Sequence, residues 1–188
     1  MKDMDSLLAQ VLAFRPNRLV PPFDLQGHIP FVAWLVKELQ PATFVQLGTQ
    51  SGNLYFAACQ TVAENSLPTR CWAVGTWQAE ELAQRHSVQQ EPGASDYNRQ
   101  HFGAFSGLLR MGDAQALPRF APGSIDLLLI DGRYSPETVR NEYESWRDRL
   151  SDHAVVLLVG IEQADSGAAT LWQQLQPQYP HLAFAHAQ

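Results

Sequence analysis

The feature that most constrains the fold is a short apolar segment that ends in glycines and leads into a helix. Residues 43–47 read TFVQL, Gly48 and Gly52 follow, and an aromatic and alanine-rich run occupies residues 53–64. The first run predicts a buried strand and the second predicts a helix. Glycines let the backbone approach a ligand closely, and the first N–H groups of a helix lack partners within it. The turn therefore either binds a ligand or simply lets the strand and the helix pack closely.

Apolar runs that predict strands alternate with helical periodicity along the rest of the chain. Further strands are predicted over 70–77, 107–114, 124–132 and 153–160, with HLAFAHA at 181–187 as a last one. Helices are predicted over 3–14, 28–39, 136–150 and 170–176, with a further helix over 78–90 that EPGAS at 91–95 breaks. Ser135 is expected to cap the helix that begins at Pro136. Alternating strands and helices are typical of a mostly parallel α/β sheet.

The chain is expected to form one domain with a short lead-in. Its 188 residues suit a single hydrophobic core. Residues 1–27 hold the first predicted helix and a stretch with three prolines, and residues 28–188 hold the alternating pattern. Neither a repeat nor a linker divides the second part, so we expect the domain to span 28–188.

Composition excludes several classes of function. The formal net charge is −6 and Lys and Arg are not clustered, so a nucleic-acid surface is not expected. No apolar run approaches the roughly 20 residues of a membrane span, and the acidic N-terminus is unlike a signal peptide. Cys59 and Cys71 are too few for a disulfide scaffold, and no Cys/His spacing indicates zinc. These features predict a soluble, cytoplasmic domain.

The first two strand ends are candidates for a ligand site, because open parallel sheets bind ligands beyond the carboxyl ends of their strands. The spacing of Gly48 and Gly52 is G-x-x-x-G, which disfavours the usual dinucleotide site. Gln46 stands where many nucleotide sites carry an acid. Gly75 ends the second strand, where a carboxylate often accepts hydrogen bonds from ribose. Trp77 could stack on a flat ring or belong to the core.

Acidic residues lie near the later strand ends. Asp113 could accept a hydrogen bond from the amine of a base, or cap a turn. Asp131 follows a buried apolar run and could accept a substrate proton or ligate a metal. Alternatively, its charge favours the N-terminus of the next helix. Arg133 and Tyr134 lie beside it and could touch a substrate, whereas Asp126 is expected to be an edge or turn residue.

Four segments, in order and with their spacing, resemble class I S-adenosylmethionine-dependent methyltransferases. They read FVQLGTQSGNLYFAACQ, CWAVGTW, FSGLLRMGDAQALPRFAPGSIDLLLIDG and ETVRNEYESWRDRLSDHAVVLLVG. More narrowly, they resemble the subgroup encoded with, or fused to, glycosyltransferases of bacterial surface-polysaccharide assembly. The resemblance covers about residues 28–186. It implies a Rossmann-like three-layer sandwich with S-adenosylmethionine across the first and second strand ends.

The resemblance also implies roles for individual residues. The cofactor-binding positions are Gln46, Gly48, Thr49, Gly52, Gly75 and Asp113. Gly48, Thr49 and Gly52 would line the methionine part and the ribose, and Asp113 would approach the adenine. Asp131 would face the reacting centre, and either it or Tyr134 would act as the catalytic base.

The chain departs from the family at four polar positions. Gln46 replaces a Glu or Asp, and Gly75 replaces the Asp that holds the ribose. Residues 131–134 read DGRY where the family usually reads Asp-Gly-x-His, and residues 159–160 read VG in place of a His-Asp pair. Because Asp131 then lacks an acidic partner, a metal is not expected. The usual last strand is also expected to be missing, which would leave a sheet edge for a partner.

Two functions follow from these observations. In the first, the domain methylates a hydroxyl group on a sugar or another small acceptor. In the second, it keeps the fold but has lost its hold on the cofactor and acts as a binding or scaffold module. Its partner would be a glycosyltransferase, the rest of a longer chain, or a second copy of itself. Binding of a nucleoside ligand distinguishes the two.

Overall fold

The computed structural model describes residues 13–23, 25–49, 51–76, 93–131 and 135–183. The strands in these ranges are β1 (Thr43–Leu47), β2 (Arg70–Val74), β3 (Ser106–Leu109), β4 (Ile125–Asp131) and β5 (Leu150–Val159). The helices in them are α1 (Ile29–Leu39), α2 (Asn53–Glu64), α3 (Ala94–His101), α4 (Asp113–Ala116), α5 (Pro136–Trp146) and α6 (Gly167–Leu175). Short 3-10 turns occupy Gln26–His28, Leu117–Arg119 and Arg147–Arg149. None of the described helices has the length and apolar character needed to cross a membrane.

The strands form one parallel sheet in the order β3-β2-β1-β4-β5. The chain builds the sheet outward from β1 to β3, then returns to the other side of β1 with β4. The strand order therefore reverses between β1 and β4, which is where open sheets of this kind form their ligand crevice. This architecture confirms the predicted Rossmann-like α/β sandwich.

Each face of the sheet has its own hydrophobic core. Neighbouring residues of a strand point to opposite faces, so Phe44 lies in the core beneath α1, α2 and α3, and Val45 lies in the core beneath α4, α5 and α6. Both faces of β1 are buried. That explains why residues 44–47 of this strand are apolar apart from Gln46.

Helix α2 lies at the centre of the first core, and the lead-in packs along it. Its residues from Asn53 to Val62 are all buried. Two buried polar side chains of the helix hold the lead-in. Asn53 bonds the N–H and the carbonyl of Val20, and Gln60 bonds the N–H of Asn17 and the carbonyl of Arg15. The apolar surface of α2 is thus covered by the lead-in as well as by the sheet.

Several predicted element bounds are confirmed. Strand β1 and helix α2 occupy the predicted residues. Ser135 caps α5 by accepting a hydrogen bond from the N–H of Thr138, with Pro136 as the first helical residue. The helix predicted over 3–14 lies almost entirely outside the described residues, and the one over 78–90 lies wholly outside them.

Other predicted bounds are wrong. Helix α5 ends at Trp146 instead of residue 150, and a 3-10 turn leads directly into β5 at Leu150. The helical pattern of RDRL hides this boundary because no glycine or proline marks it. Helix α6 begins at Gly167, three residues before the predicted start, where the Ser166 hydroxyl accepts a hydrogen bond from the N–H of Ala169. Helix α3 begins at Ala94, inside the break predicted over 91–95, and continues to His101 through residues to which no element was assigned; Gly93 is its N-cap.

The remaining differences concern strand ends. Strand β2 ends at Val74 instead of residue 77. Strand β3 covers Ser106–Leu109, so it begins one residue before the predicted range of 107–114 and fills only its first part. Asp113 follows the strand, as predicted, and begins helix α4. Residues 181–183 are not a strand, and the rest of the predicted last strand lies outside the described residues.

Candidate functional site

The carboxyl ends of β1, β2 and β3 meet at one edge of the sheet. The N–H of Gly48 donates to the carbonyl of Val74 at 3.2 Å, and the N–H of Gly75 donates to the carbonyl of Leu109 at 3.1 Å. These two bonds continue the parallel pattern one residue beyond β1 and β2. The turns after the strands therefore start from fixed positions side by side.

The turn from Gly48 to Gly52 depends on glycine at both ends. The φ angle is 71° at Gly48 and 75° at Gly52. Most residues with a side chain avoid this left-handed region. The N–H of Gly52 donates to the carbonyl of Thr49 at 2.7 Å, which closes the turn. Gly52 then precedes the first residue of α2, so the first N–H groups of the helix lie against the turn, and that of Asn53 donates to the hydroxyl of Ser51 at 3.5 Å.

Thr49 and Gly75 face each other across the gap between β1 and β2. A Cβ atom built on Gly75 would lie 3.2 Å from the hydroxyl oxygen of Thr49. Two predicted cofactor-binding positions are therefore neighbours. A side chain at residue 75 would point toward the turn, and Thr49 would have to move by a few tenths of an ångström to admit it.

Gln46 is buried just below this edge. It is 3% exposed and pairs in register with Ala73 on β2 and Leu129 on β4. Its amide oxygen, Oε1, has no hydrogen-bond partner among the described residues. A buried acceptor without a partner costs about 1–3 kcal/mol. One explanation for such a group is that it accepts a hydrogen bond from a bound ligand.

Asp113 lies at the carboxyl edge of β3, as the first residue of α4. Burial raises the pKa of its carboxyl group, and a hydrogen bond with Glu142 on α5 partly opposes that rise. A hydrogen bond between two acids requires a proton on one of them. Asp113 is therefore a half-buried acid with a partner on α5 at the edge where adenine was expected.

The two predicted catalytic residues are described only in part. Asp131 is the last residue of β4 and pairs with Val159, but its side chain is not described. Because Leu47 pairs with Ile130, the backbone of Asp131 comes level with Gly48 across the reversal point. Tyr134 lies outside the described residues, as do Arg133 and Trp77.

The turn after β5 begins with Gly160 and Ile161, and its first acid is Glu162. Gly160 has a φ angle of 94°, and its carbonyl accepts a hydrogen bond from the hydroxyl of Ser166 at 2.7 Å. That serine also caps α6. Within the described ranges, His, Cys, Asp and Glu side chains form no group of three or more that could hold a metal ion.

Sequence reasoning missed a contact between the lead-in and the glycine turn. Arg18 is buried, and its guanidinium donates from Nη1 to the carbonyl of Ser51 at 2.7 Å. A single arginine in a proline-rich stretch has no periodicity that would indicate this contact. The signal lies instead in Asn53 and Gln60, two polar residues that interrupt an otherwise apolar helix.

A sequence model of the methyltransferase domain matches residues 45–158, which is more than half of the chain. The chain belongs to this methyltransferase domain family. The matched range begins in β1 and ends in β5, so it contains β2, β3 and β4, most of β1 and β5, and the glycine turn.

Among known relatives, the uncharacterized protein y4gI of Sinorhizobium fredii is 35% identical to this methyltransferase domain over 184 residues. The match covers 97% of this chain and 20% of the relative. The methyltransferase domain thus spans about a fifth of the length of the curated relative that it matches.

Solved structures share the fold of this methyltransferase domain at low identity. The methyltransferase PaMTH1 of Podospora anserina, solved with SAH, has a TM-score of 0.57 and 15% identity over 85% of this chain and 64% of its own. The O-methyltransferase TomG of Streptomyces achromogenes, solved with SAM and involved in tomaymycin synthesis, has a TM-score of 0.56. Its identity is 15% over 95% of this chain and 80% of its own. These likenesses concern the fold.

Proposed function

We propose that this methyltransferase domain transfers a methyl group from S-adenosylmethionine to a hydroxyl group of a small acceptor. The observation that carries the proposal is the glycine turn beside the point where the strand order reverses, above a buried Gln46 oxygen without a partner. Family membership supports it. So do the fold neighbours with SAM or SAH in their crystals.

The residues at the edge fit such a donor. The backbone of Gly48, Thr49 and Gly52 would hold its methionine part and ribose, since glycines without Cβ atoms admit a ligand closely. Gln46 Oε1 would accept a hydrogen bond from an N–H or O–H group of S-adenosylmethionine, or from a water molecule that binds together with S-adenosylmethionine. Asp113 would approach the adenine amine, for which it would have to turn from Glu142.

Gly75 removes one interaction that the family uses. A hydrogen bond to a charged group contributes roughly 1.5–3 kcal/mol, so a missing ribose carboxylate weakens affinity by about 10- to 100-fold. The backbone turn and the adenine contacts would provide the remaining affinity. We therefore expect binding of the donor in the micromolar range, not its loss.

The bound donor supplies an electrophilic methyl group. The chain has to hold an acceptor hydroxyl in line with it and remove the hydroxyl proton. Asp131 is proposed as the base because its backbone stands beside the glycine turn at the reversal point. Tyr134 is the alternative base, three residues after Asp131 in the sequence.

A sugar hydroxyl is the proposed acceptor, from the resemblance to methyltransferases of surface-polysaccharide assembly. A glycosyltransferase or a second copy of the chain is the proposed partner. The greater length of the Sinorhizobium relative supports a role within a larger protein. The cytoplasmic location and the boundary at residue 28 stay predictions.

Calorimetric titration with S-adenosylmethionine and S-adenosylhomocysteine tests the proposal. We expect micromolar dissociation constants for both. Adenosine serves as the control ligand and should bind more weakly, because it lacks the methionine part that the glycine turn would hold. Absence of heat with millimolar S-adenosylhomocysteine would reject the enzyme and favour the scaffold function.

A further inference from the structure

We infer that Arg18 is a positioning residue of the donor site, acting through the carbonyl of Ser51. The inference rests on the proposed function, because it concerns the turn that would hold the donor. It assigns a role to the lead-in, which the matched family range of 45–158 does not include.

The first observation is the contact itself. Arg18 is 8% exposed, and its Nη1 atom donates to the Ser51 carbonyl at 2.7 Å. Ser51 immediately precedes Gly52, whose left-handed backbone leads into α2. A charge-assisted bond of this length restricts rotation of the peptide between Ser51 and Gly52. That peptide forms the last link of the glycine turn.

The second observation is that the guanidinium is fixed in place by two aromatic rings. Its central carbon, Cζ, lies 4.9 Å from the ring centre of Phe56 and 5.6 Å from that of Tyr97. Phe56 belongs to the first turn of α2, and Tyr97 belongs to α3. A planar guanidinium can stack on rings and donate from its edge at the same time, which an ammonium group cannot do. Arg18 therefore joins the turn to two helices.

The third observation is that the backbone on both sides of Arg18 is anchored. Asn17 donates to Gln60 Oε1 at 2.8 Å, and Val20 donates to Asn53 Oδ1 at 3.0 Å. The arginine is thus presented to the turn by a segment that is already ordered. A turn held in its binding shape loses less conformational entropy on binding than a loose turn does. Removing Arg18 should therefore weaken affinity for S-adenosylmethionine, although no direct contact between Arg18 and this ligand is proposed.

The test compares Arg18→Met with Gln60→Met. Both changes remove a polar group that holds the lead-in to α2, but Gln60 lies seven residues after Asn53, about 10 Å along the helix. Both variants should unfold at lower temperature than the wild type. Arg18→Met should raise the dissociation constant of S-adenosylhomocysteine by about tenfold. Gln60→Met loosens Asn17 but leaves the bond from Arg18 to Ser51 in place, so it should raise the dissociation constant clearly less. Arg18→Lys, which keeps the charge, should restore part of the affinity.

Equal dissociation constants for the two methionine variants would overturn the inference, because the lead-in would then contribute stability alone. The thermal unfolding midpoint shows in each case that the protein is folded at the titration temperature.

A measurement without ligand separates this inference from the proposed function. Amide hydrogen exchange over residues 48–56 should be faster in Arg18→Met than in the wild type, with exchange over β4 unchanged. Unchanged exchange over 48–56 would reject the positioning role whatever the titrations show. If exchange is faster but wild-type protein binds no donor, Arg18 still positions the turn and the proposed function is what fails.

Discussion

Asp126 and Gln46 lie at opposite edges of the sheet and have opposite surroundings. At the amino edge, Asp126 accepts hydrogen bonds from the N–H groups of Ala42 and Thr43 and from the hydroxyl of Ser151. His153 lies 3.1 Å away as a further partner. At the carboxyl edge, the amide oxygen of Gln46 is buried and has no partner among the described residues.

The difference indicates which edge stabilises the fold and which binds a ligand. Asp126 joins the starts of three strands, so its carboxylate contributes to the stability of the sheet. The carboxyl edge instead combines two left-handed glycines in one turn with the buried Gln46 oxygen beside the point where the strand order reverses. The amino edge also has a left-handed glycine, Gly123, and a buried oxygen without a partner on Thr69, so it is the combination at the reversal point that indicates a ligand site. Sequence-based reasoning expected Asp126 to be an edge or turn residue, and the structure places it as the second residue of β4, a strand that pairs with β1 and β5.

The largest expected effect comes from Gly52→Val. A β-branched residue at a φ of 75° is strained by roughly 1–2 kcal/mol or more, and its side chain would occupy space beside the turn. We expect affinity for S-adenosylhomocysteine to fall by about 100-fold or more, equivalent to about 2.7 kcal/mol.

Gly123→Val is the matched control for that change. Gly123 has a φ of 69° and open space around its Cα, and it lies in the turn before β4 at the amino edge. The control should lose similar stability and keep its affinity. If both variants lost affinity equally, strain alone would explain the result and the two edges would not differ in function.

The second effect is the loss of stability in Asp126→Asn. Burial raises the pKa of this carboxyl group, but the hydrogen bonds from Ser151, Thr43 and Ala42, together with His153, outweigh it and leave the pKa below its usual value. We expect the free energy of unfolding at pH 7 to fall by about 2 kcal/mol, a typical value for hydrogen bonds to a charged group.

The stability difference between the wild type and Asp126→Asn should depend on pH. Because the pKa of Asp126 is lower in the folded state, its carboxylate stabilises the protein at any pH above the unfolded-state pKa of about 3.9. This stabilisation is lost as the pH falls through the folded-state pKa. Denaturation by urea at pH 7 and at lower pH should show the difference between wild type and variant shrinking. Asp152→Asn, at an exposed position of β5, should change little at either pH, and donor affinity should be unaffected in both variants.

The third effect concerns Gly75→Asp, measured against Gly75→Ala. The alanine variant isolates the cost of moving Thr49, and the aspartate adds a carboxylate where a ribose would lie. Aspartate should bind S-adenosylhomocysteine about tenfold more tightly than alanine does, or about 1.4 kcal/mol. Equal affinity in calorimetric titration would place the ribose elsewhere.

The smallest effect is expected for Gln46→Leu. Removing a buried acceptor without a partner should raise the free energy of unfolding by about 1 kcal/mol in the absence of ligand. Donor affinity should fall at the same time. Gln60→Leu is the control, because both polar atoms of Gln60 are bonded and its loss should destabilise the protein. A destabilised Gln46→Leu variant would remove the contrast between the two edges.

Much of the fold was predictable because it depends on local patterns. The five described strands lie within or overlap the predicted ones, and the cap at Ser135 was identified from its spacing to Pro136. No element could be assigned where a local signal is missing. Helix α3 is polar, and its buried Asn98 is held by hydrogen bonds with Ser106 instead of by an apolar face.

The sequence predicted which residues belong to the candidate site, but not which of them contact each other. Glycine at residues 48, 52 and 75 was visible in the sequence, but the contact of residue 75 with Thr49 depends on the pairing of β1 with β2. The partner of Asp113 on α5 depends on how two helices pack on one face.

The sequence by itself determined the alternation of strands and helices, the residues of β1 and α2, and the glycines between them. Periodicity, caps and turn residues act over a few positions, so they can be read locally. Only the tertiary structure decided that β4 returns beside β1, bringing Asp131 level with Gly48, and that Arg18 bonds the carbonyl of Ser51. These contacts join residues more than 30 positions apart, because the whole chain has to pack before they form.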